Sequence, residues 1–450
     1  MRRKFHHSAK YVVKENLEKE SIKAVLTVLA VELGLLLFAM CKGVGANYLP
    51  VTALLMGFTI FACGFVLHFK ADKYLIIVVL TLLNFGFVVQ AVQSGSGLSL
   101  GNFFLKFSIA IISALSVSFL YQSFADLLSK DIVIKIMMAL QIGICISMFL
   151  VGGGAGARIN IGGFTLFEVV KVLSPFIMAG LLCKEETSFS IGKWSLNREV
   201  VLIIDMVVLS LFFVACSELG TLLVIFVTGL MMLFIFGKCR IVIHSLIVLF
   251  VTSFGSLWIV CEKILLPIFV DAQAREQLLQ GLPSFLSIEK VVERFGSALH
   301  PEWYWGAQGH QGLRALQALT MGGMLGLDTE RHRIQIPLSY NDMVFANLIQ
   351  TCGFFMGIIV IFCFFFLLKR GITIASRCQD SYFQGLTMAI TLLIIVETII
   401  HIGYNIAMFP ITGIPLYFVS QGFLAIITSM VLIAILLVIS TGKVKRREIV

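Results

Sequence analysis

About twelve long apolar runs narrow the choice of fold for this sequence more than anything else in it. A helix needs about 20 mostly apolar residues to cross the hydrocarbon core of a bilayer, and each run comes close to that length. Only 13% of the 450 residues are charged, which is about half the share found in a soluble domain. The pattern predicts an all-α polytopic membrane protein with about 12 transmembrane helices. The predicted spans are 23–41, 49–68, 74–92, 103–125, 132–151, 165–183, 199–216, 219–237, 241–263, 344–368, 384–404 and 416–440.

Lysine and arginine are distributed unevenly between the loops of this topology, and the asymmetry orients the spans. The side with both termini holds the basic residues of the tail at 1–22 and Lys70, Lys73, Lys130, Lys184, Lys193, Arg198, Lys238, Arg240, Lys369, Arg370, Arg377, Lys443, Lys445, Arg446 and Arg447. The short loops on the opposite side hold only Lys42 and Arg158. We expect both termini to be cytoplasmic and segment 264–343 to be extracytoplasmic. The net charge of +9 then serves orientation, so no nucleic-acid partner is expected.

The extracytoplasmic segment 264–343 is too long to be a passive connector. Its aromatic and leucine content argues against disorder. Ala272–Leu279 and Ser287–Leu299 have the spacing of amphipathic helices, and a helical QGLRALQAL and a glycine-rich MGGMLG follow them. We therefore expect one long loop with short helices, folded back onto the outer face of the membrane.

Ionisable residues within the predicted spans cost about 2.5–3.5 kcal/mol each on insertion scales, so each requires a reason. Glu168 and Lys171 are three residues apart, on one face of a helix, where they can pair. They form either a structural ion pair between helices or the wall of a polar cavity for a charged substrate, and their position within a span favours the cavity. Glu218 fits a helix boundary, whereas Asp205 and Glu397 have no explanation from the sequence.

The segment between the last two predicted spans contains PITGIP, residues 410–415. Two prolines so close together predict a broken, non-helical backbone. Such backbone at membrane depth must be buried in protein or line a cavity. We therefore expect a cavity near the outer leaflet.

The stretch HPEWYWGAQGHQ, residues 300–311, places an aromatic cluster and one carboxylate, Glu302, in the outer loop. Its two tryptophans and Tyr304 suit either an interfacial aromatic belt or stacking against sugar faces. His300 and His310 are interpreted as ordinary polar loop residues, because no third metal ligand stands at a telling spacing.

Five segments of the sequence are RINIGGFTLFEVVK (158–171), SELGTLLVIFVTGLMMLFIFG (217–237), HQGLRALQALTMGGMLG (310–326), IPLSYNDMVFA (336–346) and HIGYNIAMFPITGIPLYFVS (401–420). In this order they resemble the SEDS family (shape, elongation, division and sporulation), which includes FtsW, RodA and SpoVE. The first five spans show no such match. The resemblance implies a SEDS-like core at 153–440, preceded by spans at 23–152 that include two extra ones. Cytoplasmic tails at 1–22 and 441–450 flank them.

The resemblance implies a glycosyltransferase of the bacterial plasma membrane. It would polymerise lipid II, an undecaprenyl-pyrophosphate-linked disaccharide peptide, for cell wall synthesis during division, elongation or sporulation. Its partners would be membrane lipid and a class B penicillin-binding protein. The 4-hydroxyl of the acceptor sugar attacks the anomeric carbon of the donor, so a carboxylate base is needed near that hydroxyl. Positive charge at the departing pyrophosphate would come from a side chain or from a divalent cation such as Mg²⁺ or Mn²⁺.

By position, the resemblance assigns substrate-binding or cavity roles to polar residues along the core. They are Arg158, Asn160, Glu168, Lys171, Arg294, Gln311, Arg314, Asp342, Thr412 and Gly413. Lys171, Arg294 and Arg314 are the candidate contacts for the pyrophosphate.

The position of the family's catalytic aspartate is occupied by Tyr304. A phenol is a poor base at neutral pH because its pKa is normally about 10. Glu302, two residues earlier, is the candidate substitute base. Two other hypotheses remain: a catalytically inactive SEDS relative that binds lipid II and scaffolds a penicillin-binding protein, and a lipid flippase or transporter. The second ranks last, because flipping does not require the long outer loop.

Overall fold

The computed structural model describes residues 25–38, 56–64, 70–93, 100–151, 166–191, 194–270, 288–300, 308–327 and 333–442, with single residues 23, 40, 41, 53, 273 and 276. In chain order the elements are α1 (Val25–Phe38), α2 (56–64), α3 (Lys73–Gln93), α4 (Leu100–Leu128), α5 (Asp131–Val151), α6 (Phe167–Leu182), β1 (Ser188–Ile191), β2 (Trp194–Asn197), α7 (Arg198–Ala215), α8 (Leu219–Phe236), α9 (Arg240–Val260), a π-helical turn (Cys261–Leu265), α10 (Leu266–Val270), α11 (Ile288–Leu299), α12 (Gln308–Gly322), α13 (Val344–Arg377), α14 (Ser381–Asn405) and α15 (Phe423–Ser440).

Every predicted span contains a described helix, as expected for backbone that has no water partner in lipid. Eight of the described helices are long and apolar enough to cross a membrane. The last span differs from the prediction: its helix begins at Phe423 and not near residue 416, because the non-helical backbone after Pro410 continues to Gln421. A small antiparallel hairpin, β1–β2, adds two strands that the all-α prediction did not include.

Helix α14 lies at the centre of the described bundle and packs against α6, α8, α13 and α15. Almost every residue of α14 between Tyr382 and Asn405 is buried. Helix α9 is the opposite case, since Ile243 is its only buried residue. The polar residues of α14 therefore face protein and not lipid.

The glycine-rich turn after α12 docks onto a break in α13. Gly353 has φ 87° and ψ 167°, which interrupts the helix. The Phe354 N–H then donates to the Gly323 carbonyl (2.9 Å), and the Leu327 N–H donates to the Gln350 carbonyl (2.9 Å). The predicted turn is confirmed, and its hydrogen bonds hold the end of α12 against the N-terminal third of α13.

Candidate active site

Four parts of the chain converge at the N-terminal end of α8 and the C-terminal end of α14. A Cβ at Gly220, in the first turn of α8, would collide with Ile414 and Thr412 of the broken segment. A Cβ at Gly312, on α12, would lie 3.4 Å from the Ile411 side chain. Helix α12 and the start of α8 therefore contact the PITGIP segment, in which every residue except Gly413 is buried. This agrees with the expectation that such backbone is buried in protein or lines a cavity.

The loop before α13 joins the same region. Gln311, on α12, donates a hydrogen bond from Nε2 to the Pro337 carbonyl (3.3 Å). A Cβ at Gly413 would lie 3.6 Å from Asp342 Oδ2. The structure thus brings together four of the predicted site residues, which are Gln311, Asp342, Thr412 and Gly413.

Lys171 forms a buried ion triad. Its ammonium donates to Glu168 Oε1 and to Glu397 Oε1, both at 2.8 Å. The Lys171 side chain is 1% exposed and that of Glu397 is 0% exposed. The Lys171 Nζ also lies 5.6 Å from the centre of the Tyr417 ring, an arrangement that favours the cation. The predicted Glu168–Lys171 pair is present, and Glu397 extends it from α6 to α14. This geometry favours the structural alternative.

The last turn of α14 fixes two carbonyl groups at the site. The Tyr404 hydroxyl lies 2.8 Å from the Asp342 carbonyl oxygen and 2.5 Å from that of Ile414. Asn405 Nδ2 donates to the same Asp342 carbonyl (3.1 Å). His401 Nδ1 lies 2.8 Å from the Ile414 carbonyl oxygen. The loop at Asp342 and the broken segment at Ile414 are therefore tied to one helix end.

Asp342 is a half-buried carboxylate at this junction. Asn341 Nδ2 donates to its Oδ1 (2.9 Å). Burial raises the pKa of the Asp342 carboxyl to about 7; the Asn341 hydrogen bond opposes the rise, Glu218 adds to it and Arg294 opposes it. The carboxyl therefore titrates near neutral pH.

Glu218, immediately before α8, is the second carboxylate of the junction. Burial raises the pKa of its carboxyl above the ordinary value, against the opposing effects of Arg294, the Thr221 hydroxyl and Lys171. The Thr221 hydroxyl donates to Glu218 Oε1 (2.9 Å). Glu218 was predicted only as a helix-boundary residue, and the structure adds its electrostatic interactions with Asp342 and Arg294.

Positive charge near the junction comes from arginine. Arg294, on α11, acts on both Glu218 and Asp342. Arg314, on α12, donates from Nε to His310 Nε2 (3.3 Å). The described residues contain no group of three or more His, Cys, Asp or Glu side chains placed to hold a metal ion. Within that part of the chain, the residues fit anion binding by arginine better than a cation centre.

Four predicted site residues, Arg158, Asn160, Glu302 and Tyr304, lie outside the described residues. Their roles stay predictions. The same holds for most of the predicted helix at 272–279.

Sequence reasoning missed one buried carboxylate altogether. Glu32, on α1, is 3% exposed. Its Oε1 accepts hydrogen bonds from Thr59 Oγ1 and from Asn84 Nδ2 (2.9 Å for the second). The signal was available, because Glu32 is an ionisable residue within a predicted span, as Glu168 is.

Two curated relatives resemble this chain over most of its length. One, from Wigglesworthia glossinidia brevipalpis, is named probable peptidoglycan glycosyltransferase FtsW; it is 25% identical over 67% of this chain and 74% of its own. The other, from Escherichia coli K12, is named peptidoglycan glycosyltransferase MrdB; it is 22% identical over 83% of this chain and 94% of its own.

Two solved structures share the fold. One is a chain from a study of polymerization and crosslinking by a peptidoglycan synthase complex; it has a TM-score of 0.61 at 17% identity and covers 83% of this chain and 99% of its own. The other is the rod shape determining protein RodA of Thermus thermophilus, with a TM-score of 0.54 at 17% identity and 83% and 98% coverage. The fold is thus RodA-like.

The family described as cell cycle protein, FTSW_RODA_SPOVE, matches residues 51–445. The match begins well ahead of the five sequence segments, so it includes the second to fifth spans, which the motifs alone left unmatched. The converging outer loop, the broken segment and this match have one explanation: the chain belongs to the SEDS family, the multi-span membrane proteins that include FtsW, RodA and SpoVE.

Proposed function

We propose that this protein is a peptidoglycan glycosyltransferase of the bacterial plasma membrane that polymerises lipid II together with a class B penicillin-binding protein. Both termini are cytoplasmic in this proposal, and segment 264–343 faces the wall. The observation that carries it is the junction of Asp342, Glu218 and Arg294 at the outer end of the bundle, in a chain of the SEDS family. The junction offers carboxylates for the attacking hydroxyl and a guanidinium for pyrophosphate.

Arg294 and Arg314 bind the pyrophosphate in this proposal, because both lie on the outer-loop helices. Gln311, Thr412, Gly413, Arg158 and Asn160 line the substrate site. Lys171 supports the site as a tie between α6 and α14, since two carboxylates already engage its ammonium.

The test is polymerisation of fluorescent lipid II by the purified full chain, with and without the penicillin-binding protein. We expect glycan strands, and a loss of product of about 10-fold or more in Arg294→Ala, since a buried charged contact contributes about 1.5–3 kcal/mol. Lys263→Ala is the matched control, because Lys263 is exposed and pairs with Glu262 in the π-helical turn after α9. A monodisperse protein that makes no glycan strands, either with or without the penicillin-binding protein, would refute the proposal.

A second candidate function, that of a scaffold without polymerase activity, is favoured by one feature of the sequence. By the family resemblance, Tyr304 occupies the position of the family's aspartate, which suits a chain that binds lipid II and scaffolds the penicillin-binding protein without polymerising. Such a chain would copurify with its partner and gain activity only as Tyr304→Asp. The transport alternative was motivated by the Glu168–Lys171 pair. Glu397 also pairs with Lys171 and the ammonium is buried, so the pair no longer favours a transport path.

A further inference from the structure

Two carboxylates compete for the role of base in the proposed reaction: Glu302, which its sequence position suggests, and Asp342. We infer that Asp342 accepts the proton of the attacking hydroxyl. The inference rests on the proposed function and assigns the base to a different residue.

The backbone at Asp342 is held from several sides. Its carbonyl oxygen lies 2.8 Å from the Tyr404 hydroxyl and accepts from Asn405 Nδ2 at 3.1 Å. The neighbouring Asn341 carbonyl accepts from Ser420 Oγ (3.0 Å). A base must be placed to within a fraction of an ångström of its proton. A backbone held by the end of α14 and by the segment before α15 provides such placement.

The carboxylate has one oxygen engaged and one available. Oδ1 accepts from Asn341 Nδ2, whereas no hydrogen bond from the described residues reaches Oδ2. Oδ2 points toward Gly413, which has φ 73° and carries no side chain to block it. A hydroxyl can therefore approach Oδ2 across Gly413.

Charged and titratable groups surround Asp342 on each element packed against it. Glu218 precedes α8, Arg294 lies on α11, and His401 and Tyr404 lie on α14. Burial and Glu218 favour the protonated carboxyl, while Arg294 favours the carboxylate. A pKa of about 7 suits a base that works near neutral pH.

The step balances without a further reactant. The O–H bond of the acceptor 4-hydroxyl breaks and its proton moves to Asp342 Oδ2. The freed oxygen forms a bond to the anomeric carbon of the donor. The bond from that carbon to the pyrophosphate oxygen breaks, and undecaprenyl pyrophosphate leaves with the bonding electrons. Asp342 then releases the proton to water.

The test compares Asp342→Asn, Glu218→Gln and Glu302→Gln in the full chain with the penicillin-binding protein. We expect Asp342→Asn to lower kcat by about 100-fold or more while lipid II still binds. The wild-type rate should fall as pH drops below about 7, where Asp342 becomes protonated. Glu218→Gln removes a charge that raises the pKa of Asp342, so the acid limb should move to lower pH.

Glu262→Gln serves as the matched control, because Glu262 is a carboxylate in the π-helical turn after α9 that pairs with exposed Lys263. Asp342→Asn activity within a few-fold of wild type would overturn the inference, as would an acid limb unmoved in Glu218→Gln. The second readout stands even if Asp342→Asn does not fold. Wild-type inactivity, by contrast, would refute the proposed function itself.

Discussion

Lys171 shows how much one side chain can do in a membrane interior. Its ammonium is shared by Glu168, one helical turn away, and by Glu397, 226 residues later. The first partner could be predicted, because an i, i+3 spacing places both groups on one helical face. The second could not, since only packing of α14 against α6 brings it there. The same limit applies to the clamp of Tyr404 on Asp342.

Removal of Lys171 should destabilise the fold. Lys171→Met leaves two buried carboxylates without their cation, and breaking such a buried pair costs about 3–5 kcal/mol. We expect a lower thermal midpoint in detergent, with partial recovery in Lys171→Met/Glu397→Gln, where one of the two stranded charges is gone. Lys135→Met is the control, because half-buried Lys135 contacts the Ser190 hydroxyl (3.2 Å) and the Phe189 ring (5.2 Å to its centre), and neither is a carboxylate. Equal midpoints for Lys171→Met and Lys135→Met would contradict the role of the triad.

The turn after α12 and the break in α13 are joined by backbone hydrogen bonds, which hydropathy cannot predict. The turn in MGGMLG was predictable from its glycines. The break in α13 was not, because Gly353 lies in the apolar run CGFFMGIIV, which has the composition of an unbroken span. The delayed start of α15 has a similar cause: residues 416–419 are apolar, yet they continue the segment set by the two prolines.

Gly353→Ala should disrupt this junction. An alanine is strained at φ 87°, and its Cβ would collide with the Met324 carbonyl oxygen. We expect a lower thermal midpoint and faster proteolysis of the outer loop. Gly143→Ala, in α5, should leave both unchanged or improve the midpoint, because nothing lies within 4 Å of its Cβ position. Unchanged proteolysis in Gly353→Ala would show that the turn docks without the break.

For the whole molecule, hydropathy predicted where helices cross but not how they are arranged. The spans that include α9 and α14 have mean hydropathies of 2.0 and 2.1, yet 6% and 78% of their windows are buried. Lipid and a protein core select the same apolar side chains, so composition cannot distinguish the two. For the core, the five family segments supplied information that hydropathy lacks. Their resemblance to the family predicted which residues, far apart in the sequence, belong to one site.

The predicted orientation can be tested on intact cells. A fluorescent protein fused after residue 450 should fluoresce, and a peptide tag inserted at 285 should bind antibody in spheroplasts without permeabilisation, since basic residues mark the cytoplasmic side. A tag at 192, in the β1–β2 hairpin, is the matched control and should bind antibody only after permeabilisation. Antibody binding at 192 in intact spheroplasts would contradict the predicted orientation and indicate the opposite one.

The contact of Glu32 with Thr59 and Asn84 bears on how relatives can be recombined. Helix α1 precedes the family match, which begins at residue 51, yet its carboxylate accepts from two side chains within the match. A chimera that exchanged residues 1–50 for those of a relative without this glutamate would remove the carboxylate partner of the Thr59 hydroxyl and of the Asn84 amide. The Asn84 amide would keep its hydrogen bond to the Leu80 carbonyl (2.9 Å), whereas the Thr59 hydroxyl would lose its acceptor among apolar side chains. The first helix and the two that follow it are thus exchangeable only as one unit.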